Sequence, residues 1–252
     1  MAVNLLELVD VSKAFGAHRV LEAVNFNVAE GEIVGLLGPN GSGKSTALNV
    51  ISGFLPADSG SIRLANAEIA NASPQRMTMQ GLVRTFQLPA MPHKMTVREV
   101  LQTGASRKVG IRSIFSRFSF DDELETLLEA FRLTHVADLP ASALSGGQKK
   151  LLSVATALRS KPRLLCLDEP TAGVHPNLRA DMVAILKRYR DAGVAILVVE
   201  HDMLFIRDLC SRCVVLDRGE IIADCTPREL EDNPRVVEAY LGKAVEKGKT
   251  TL

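Results

Sequence analysis

Nine consecutive residues, Gly38-Pro39-Asn40-Gly41-Ser42-Gly43-Lys44-Ser45-Thr46, have the makings of an anion cradle. They fit G-x-x-x-x-G-K-[ST], a spacing in which glycines let the backbone curl until several N–H groups converge, while a following helix adds the partial positive charge of its N-terminus. In such a loop Lys44 reaches the β- and γ-phosphates of a nucleoside triphosphate and the Ser45 hydroxyl ligates Mg2+. A second segment, Leu164-Leu165-Cys166-Leu167-Asp168-Glu169, is an apolar run that ends in two carboxylates. At the C-terminal edge of a sheet strand, beside the phosphate loop, Asp168 would hold Mg2+ through water and Glu169 would polarise an attacking water. A third, Leu144-Ser145-Gly146-Gly147-Gln148, places a hydroxyl and two glycines at the start of a helical pattern (Leu151, Val154, Ala155, Leu158), which makes a second anion-binding terminus. One phosphate loop already fills a site, so the second cradle needs a purpose of its own.

These segments must be positioned by a sheet and its helices. The apolar stretch Ile33 to Leu37 reads as a buried strand entering the phosphate loop, and Ala47, Leu48, Val50 and Ile51 read as the helix leaving it. Strand signals also cover Leu5 to Val9, Val24 to Val28 and Ser61 to Leu64, with turns at Gly31 and Asp58-Ser59-Gly60. From about Leu88 to Leu158 helical signals take over, clearest at Asp121 to Phe131, where Leu124, Leu127, Leu128 and Phe131 recur at helical spacing. Short apolar runs then return at Leu164 to Leu167, Val194 to Val199 and Cys213 to Leu216, with an amphipathic helix, Leu178 to Tyr189, between the first two. That alternation belongs to a parallel sheet. The expectation is one α/β core interrupted by a mostly helical insert, with a charged, small-residue tail from Lys243 to Leu252 that frays.

The 252 residues suffice for a substantial core, and 46% hydrophobic with 23% charged residues is ordinary for a globular chain. A net charge of +1 gives no bulk attraction for nucleic acid. No apolar run approaches the ~18 residues that a membrane-spanning helix needs. The acidic start, Met1 to Asp10, lacks the basic region of a secretory leader, so a cytoplasmic chain is expected. Cys166, Cys210, Cys213 and Cys225 are expected to be reduced, mostly buried thiols, because the Cys210/Cys213 pair has no second pair at zinc-site distance.

In this order the three segments resemble the ATP-binding cassette family across nearly the whole chain. The resemblance implies a P-loop NTPase (RecA-like) α/β core with a parallel sheet, an N-terminal antiparallel β region and a helical insert. One domain would span 1–242, with 1–87 and 159–242 as catalytic core and 88–158 as the helical part that carries the signature. It implies ATP and Mg2+ as ligands. Phe15 looks like the aromatic that stacks on adenine, Asn40, Gly41, Ser42, Gly43, Lys44, Ser45 and Thr46 like the phosphate loop, and Gln87 in Arg84-Thr85-Phe86-Gln87 like the glutamine that senses Mg2+ and γ-phosphate. His201 in Val199-Glu200-His201-Asp202 looks like the switch histidine. Catalysis would fall to Glu169, His201, Gln87 and Lys44, and metal binding to Ser45, Gln87 and Asp168. Ser145, Gly146, Gly147 and Gln148 would cover the γ-phosphate of ATP on the opposite subunit. One departure is His175, where the family usually has an Asp that acts across the dimer.

Arg84 to Gln87, Val199 to Met203 and Ala239-Tyr240-Leu241-Gly242 look like the branched-chain amino-acid, urea and amide importer subgroup, as does the long stretch Gly104 to Phe120. There Arg107, Lys108, Arg112 and Arg117 interleave with Phe115, Phe118 and Phe120, a mixture expected near the membrane or a permease rather than on nucleic acid. The resemblance implies an importer ATPase on the inner face of the cell membrane. Its partners would be permease subunits, a second cassette (a heterodimer more than a homodimer) and, indirectly, a periplasmic binding protein. A lipid or lipopolysaccharide exporter cassette, or a non-transport cassette acting on nucleic acid or ribosomes, are the competing readings. Leu88 to Met95, apolar and bent by prolines, reads equally as the lining of a groove for a permease helix or as a buried connector.

Overall fold

The computed structural model describes residues 3–87, 89–105 and 117–247, without the side chains of 117–121 and 241–247. Two sheets form. The first is antiparallel: β1 (Asn4–Phe15), β2 (His18–Ala29), β4 (Ser59–Leu64) and β5 (Ala67–Glu68), in the order β2-β1-β4-β5. The second has the order β10-β9-β3-β8-β7-β6, from β3 (Ile33–Leu37), β6 (Leu82–Arg84), β7 (Leu164–Asp168), β8 (Ala195–Val199), β9 (Arg212–Asp217) and β10 (Glu220–Cys225). All its pairings are parallel except β9 with β10.

The three central strands are buried along their whole length, and the two-residue period of a strand sends their side chains to two different cores. Ile33, Leu37, Leu165, Leu167, Ile196 and Val198 face one side. They pack there with α3 (Val97–Thr103), α4 (Arg117–Ala130), α5 (Gly146–Arg159), α6 (Pro176–Asp191) and α7 (Met203–Leu209). Val34, Leu36, Leu164, Cys166, Leu197 and Val199 face the other, against the antiparallel sheet, α1 (Lys44–Ile51) and Met77 of α2 (Pro74–Met79). The middle sheet is thus a wall between two oils, and its strand ends are where polar groups can emerge.

The expected strands and the four expected helices (α1, α4, α5 and α6) are present, with longer bounds for β1, β2, α4 and α6. The tail differs. A helix, α8 (Pro234–Lys247), runs past Lys243, so the segment expected to fray is helical at least to Lys247. The sequence explains it: Val236, Val237, Tyr240, Leu241, Ala244 and Val245 keep one apolar stripe at three- and four-residue steps. Arg107, Lys108, Arg112 and Phe115 of the basic–aromatic stretch lie outside the described residues. Among the described residues no helix is long and apolar enough to cross a membrane.

Leu197 sits mid-strand with no exposed surface. Leu197→Ala is expected to lower the unfolding free energy by about 3 kcal/mol in denaturant titration, through lost burial and a residual cavity; a loss under about 1 kcal/mol would mean that the two cores repack freely across the wall.

Candidate nucleotide site

The phosphate loop leaves β3 at its C-terminal end. Gly38 has φ +144, and a Cβ on it would stand 2.0 Å from the Leu216 carbonyl oxygen, so only glycine passes this point. Helix α1 starts at Lys44 behind Gly43, with no side chain capping its first N–H groups. A helix start without a side-chain cap can present its N–H groups to an anion, with the helix dipole behind them. The Ser42 hydroxyl is buried and has no hydrogen-bond partner among the described residues. Lys44, also buried, folds back so that its ammonium donates to the Gly38 and Pro39 carbonyls at 2.7 and 2.9 Å. Uncapped amides, an orphaned hydroxyl and a buried cation make a set of donors that a polyphosphate satisfies.

A cavity of about 300 Å³ opens over this loop. Asn40, Gly41, Gly43, Lys44, Ser45 and Thr46 form its floor, Glu169, Val199 and His201 close one side, and His18 and Val20 close another. Among the described residues no group of three His, Cys, Asp or Glu could hold a metal alone. A divalent ion here would draw on Ser45, Asp168 and phosphate oxygens together, which is the sparse, oxygen-only set that suits Mg2+.

Glu169 follows β7 in the left-handed region, φ +47. For a residue with a Cβ that conformation costs about 1 kcal/mol. It persists because both peptide groups are held: the Glu169 N–H donates to the Val199 carbonyl at 2.9 Å, and the Lys150 ammonium donates to the Glu169 carbonyl at 2.6 Å. Its carboxylate is engaged on both oxygens, by the Gln87 amide at 2.6 Å and by His201 Nε2 at 3.4 Å. The expected base, glutamine and switch histidine thus meet at one carboxylate. Burial pushes the Lys150 ammonium below its ordinary pKa, against the opposing pull of Glu169, Glu200 and Asp168.

The signature segment lies elsewhere. Ser145 caps α5, accepting from the Gln148 N–H at 3.3 Å, while the Gln148 side chain accepts from the Ser145 N–H at 3.0 Å. This reciprocal box turns the Gln148 side chain back onto the helix start. None of Ser145, Gly146, Gly147 or Gln148 lines the cavity of its own chain.

Comparison with known proteins gives this geometry its family. Residues 21–172 match the family model described as ABC transporter. The chain belongs to the ABC transporter family. A probable branched-chain amino acid transport ATP-binding protein, LivG, of Archaeoglobus fulgidus is 36% identical, covering 95% of this chain and 96% of that one. The high-affinity branched-chain amino acid transport ATP-binding protein BraF of Pseudomonas aeruginosa is 34% identical, covering 97% and 100%. The lipopolysaccharide export system ATP-binding protein LptB of Escherichia coli K12 is 32% identical, covering 93% and 95%. Among solved structures, a nucleotide-free ATP-binding cassette from an ABC transporter superposes with a TM-score of 0.81 at 34% identity, covering 94% of this chain and 99% of that one. The dimeric, post-hydrolysis cassette bound to ADP and Pi superposes at 0.74 with 25% identity, covering 88% and 99%. As an ABC cassette the chain is a transport ATPase.

Other expected site residues take places of their own. Phe15 pairs with His18 across the β1–β2 hairpin, half exposed, with the Lys13 ammonium 5.7 Å from its ring centre. His18 itself lines the cavity. His175 caps α6, its Nδ1 accepting from the Asn177 N–H at 3.4 Å, a task that any short acceptor side chain at that position would perform. Met91 and Met95 pack against the helical core, while Pro92, His93 and Lys94 between them are exposed. The four thiols are free, three of them buried, and burial pushes Cys166 and Cys213 up to about 12.

Several residues at this site carry no local sequence signal. Arg84 donates to Asp168 at 3.0 Å and to Asn49 and Ser52 of the α1 region at 2.7 and 2.9 Å, and lies beneath Phe54 and Phe86, whose rings are 5.4 Å apart. Buried Glu200 accepts from the Thr171 N–H and hydroxyl at 2.7 and 2.6 Å and from the His201 N–H at 2.9 Å, pinning the loop after Glu169 to His201. Tyr240 of α8 accepts from the Gly38 N–H at 3.0 Å.

Asp168 and Arg84 are both nearly buried, their side chains 11% and 6% exposed. Arg84→Met strands a buried carboxylate and is expected to lower stability by about 3 kcal/mol in urea titration at neutral pH without nucleotide; an unchanged midpoint would mean that Asp168 is solvated by other means.

Proposed function

We propose that this chain is the ATP-binding and ATP-hydrolysing subunit of an importer for branched-chain amino acids or related small polar or amide solutes. The observation that carries the mechanism is spatial: the cavity holds the phosphate loop and the base, while the signature segment of the same chain stands outside it. A complete site then needs Ser145 to Gln148 of another cassette, with two cassettes closing head to tail over two ATP molecules. Similarity to LivG and BraF along nearly the full chain supports the importer assignment.

In this reading the N–H groups of Gly41 to Thr46 and the Lys44 ammonium, released from the Gly38 and Pro39 carbonyls, bind the β- and γ-phosphates. Ser45, Asp168 and Gln87 would hold Mg2+, which when bound would supply charge neutralisation at the phosphate oxygens. Phe15 stacks on adenine. Glu169 accepts a proton from the attacking water, for which one of its two oxygens must first be freed from Gln87 or His201. The two contacts therefore hold the base in a resting arrangement until a γ-phosphate and a partner cassette displace them. His201 then orients the base and the γ-phosphate.

The partners proposed are permease subunits, received at the surface around Phe54, Phe86 and Met91, and a second, non-identical cassette. The chain would work on the cytoplasmic face of the membrane as a peripheral subunit, with a periplasmic binding protein delivering solute. The 32% identity to LptB over 93% of the chain supports a second reading, an exporter cassette. Affinity purification of the tagged chain from gently solubilised native membranes decides between them. Permease subunits with a second cassette and a binding protein would support import; lipid-export components, or ribosomes and nucleic acid, would overturn it.

Glu169→Gln is expected to bind ATP and accumulate as a closed dimer by size-exclusion chromatography, while steady-state turnover falls by about 100-fold or more. Turnover near that of the unmodified chain would remove Glu169 as the base.

A further inference from the structure

The nearly buried Lys150 crosses from the signature helix to the catalytic glutamate of its own chain. It lies two residues beyond Gln148, in the first turns of α5. Its ammonium is 2.6 Å from the backbone carbonyl of Glu169, the residue held at φ +47. The contact is to the main chain, so it fixes the peptide plane that sets where the carboxylate points. It is not a salt bridge to the carboxylate, whose oxygens belong to Gln87 and His201.

A second contact joins the same two segments. A Cβ on Gly147 would stand 2.5 Å from the Gly173 carbonyl oxygen and 3.3 Å from Val174 Cα, so the start of α5 rides directly on the backbone after the base. That loop is rigid in turn: Thr171 is bound twice by Glu200, and Val174 is buried. The beginning of the signature helix and residues 169–174 are therefore one mechanical unit, joined at Lys150 and Gly147.

We propose that Lys150 is a positioning residue that ties the signature helix to the catalytic base of its own chain, so that engagement of this chain's signature by the partner's ATP sets the base at its own ATP. This rests on the reading that the signature serves the opposite subunit. Under it, each chain carries an anion-contacting element for one nucleotide and a base for the other, and Lys150 joins them. A shift of α5 toward the partner's γ-phosphate moves the amine, and with it the Glu169 carbonyl. The backbone there has little freedom to absorb the motion, because the Glu169 N–H is fixed to Val199 of β8. The side chain must swing, and the swing takes the carboxylate off Gln87 or His201.

The test uses the full-length chain as unmodified protein, K150M and K150R. Lys150→Met keeps the buried stem and removes the donor, while Lys150→Arg restores one. Binding of a fluorescent ATP analogue in EDTA is expected to stay within about twofold in both variants, and Mg·ATP turnover to fall about tenfold in Lys150→Met and recover largely in Lys150→Arg, as expected for one lost charged hydrogen bond. Amide hydrogen exchange in the Glu169→Gln background gives the coupling directly. On adding ATP, residues 144–150 and 169–174 gain protection together when Lys150 is present, and only 144–150 gain it in Lys150→Met. Unaltered turnover in Lys150→Met, equal loss of binding and turnover, or joint protection without Lys150 would each overturn the proposal. An unmodified chain that neither hydrolyses ATP nor closes into a dimer, alone or with its sister cassette, would instead overturn the functional reading beneath it.

Discussion

The site depends on how one strand ends. β7 is apolar and buried until Asp168, and two carboxylates then follow from a wall of hydrocarbon, Asp168 nearly buried beside Arg84 and Glu169 on the polar cavity. An unpaired carboxylate at such a depth costs several kcal/mol, so a cation has to stand beside it. Arg84 meets that need from the neighbouring strand, and in reaching Asp168 it also binds Asn49 and Ser52. One guanidinium therefore fixes the far end of the phosphate-loop helix relative to the acidic strand end. The relative placement of Ser45 and Asp168, two of the three groups proposed to hold Mg2+, follows from it.

The next residue is held by a different means. Glu169 is turned out by a left-handed backbone, not by a turn glycine, and contacts from three directions keep it there: Val199 from the sheet, Lys150 from the signature helix, and Gln87 and His201 at the carboxylate. They come from three separate segments of the chain, Gln87, Lys150 and the Val199–His201 stretch. A carboxylate supported in this way reports on the position of every segment that touches it, which suits the role of base proposed for it in a hydrolysis step that must wait for assembly.

Much of this was legible in the residues themselves. The phosphate loop is a local device whose glycines, lysine and flanking strand and helix occur in one continuous stretch, and the central strands announce themselves by unbroken apolar runs. The signature helix start was readable for the same reason, since Ser145 and Gln148 cap it from within four residues. What escaped reading is what distance in sequence hides. Arg84 and Asp168 are 84 residues apart, and nothing in Arg84-Thr85-Phe86-Gln87 says that its arginine is buried. Lys150 sits in a polar stretch, Lys149-Lys150, that reads as solvated surface. β10 lacks both an apolar run and a clean alternation because it is an antiparallel edge with one fully buried residue. The stripe of α8 is masked in the sequence by the charges of the Lys243–Leu252 tail.

Tyr240 gives the phosphate loop an unusual history. The amide that it holds, on Gly38, is made early in synthesis, and its hydroxyl partner is 202 residues further on. A ribosome adding roughly ten residues per second needs about twenty seconds to cover that interval. For that time the Gly38 N–H, at the entry to the loop, lacks the acceptor it has in the finished chain.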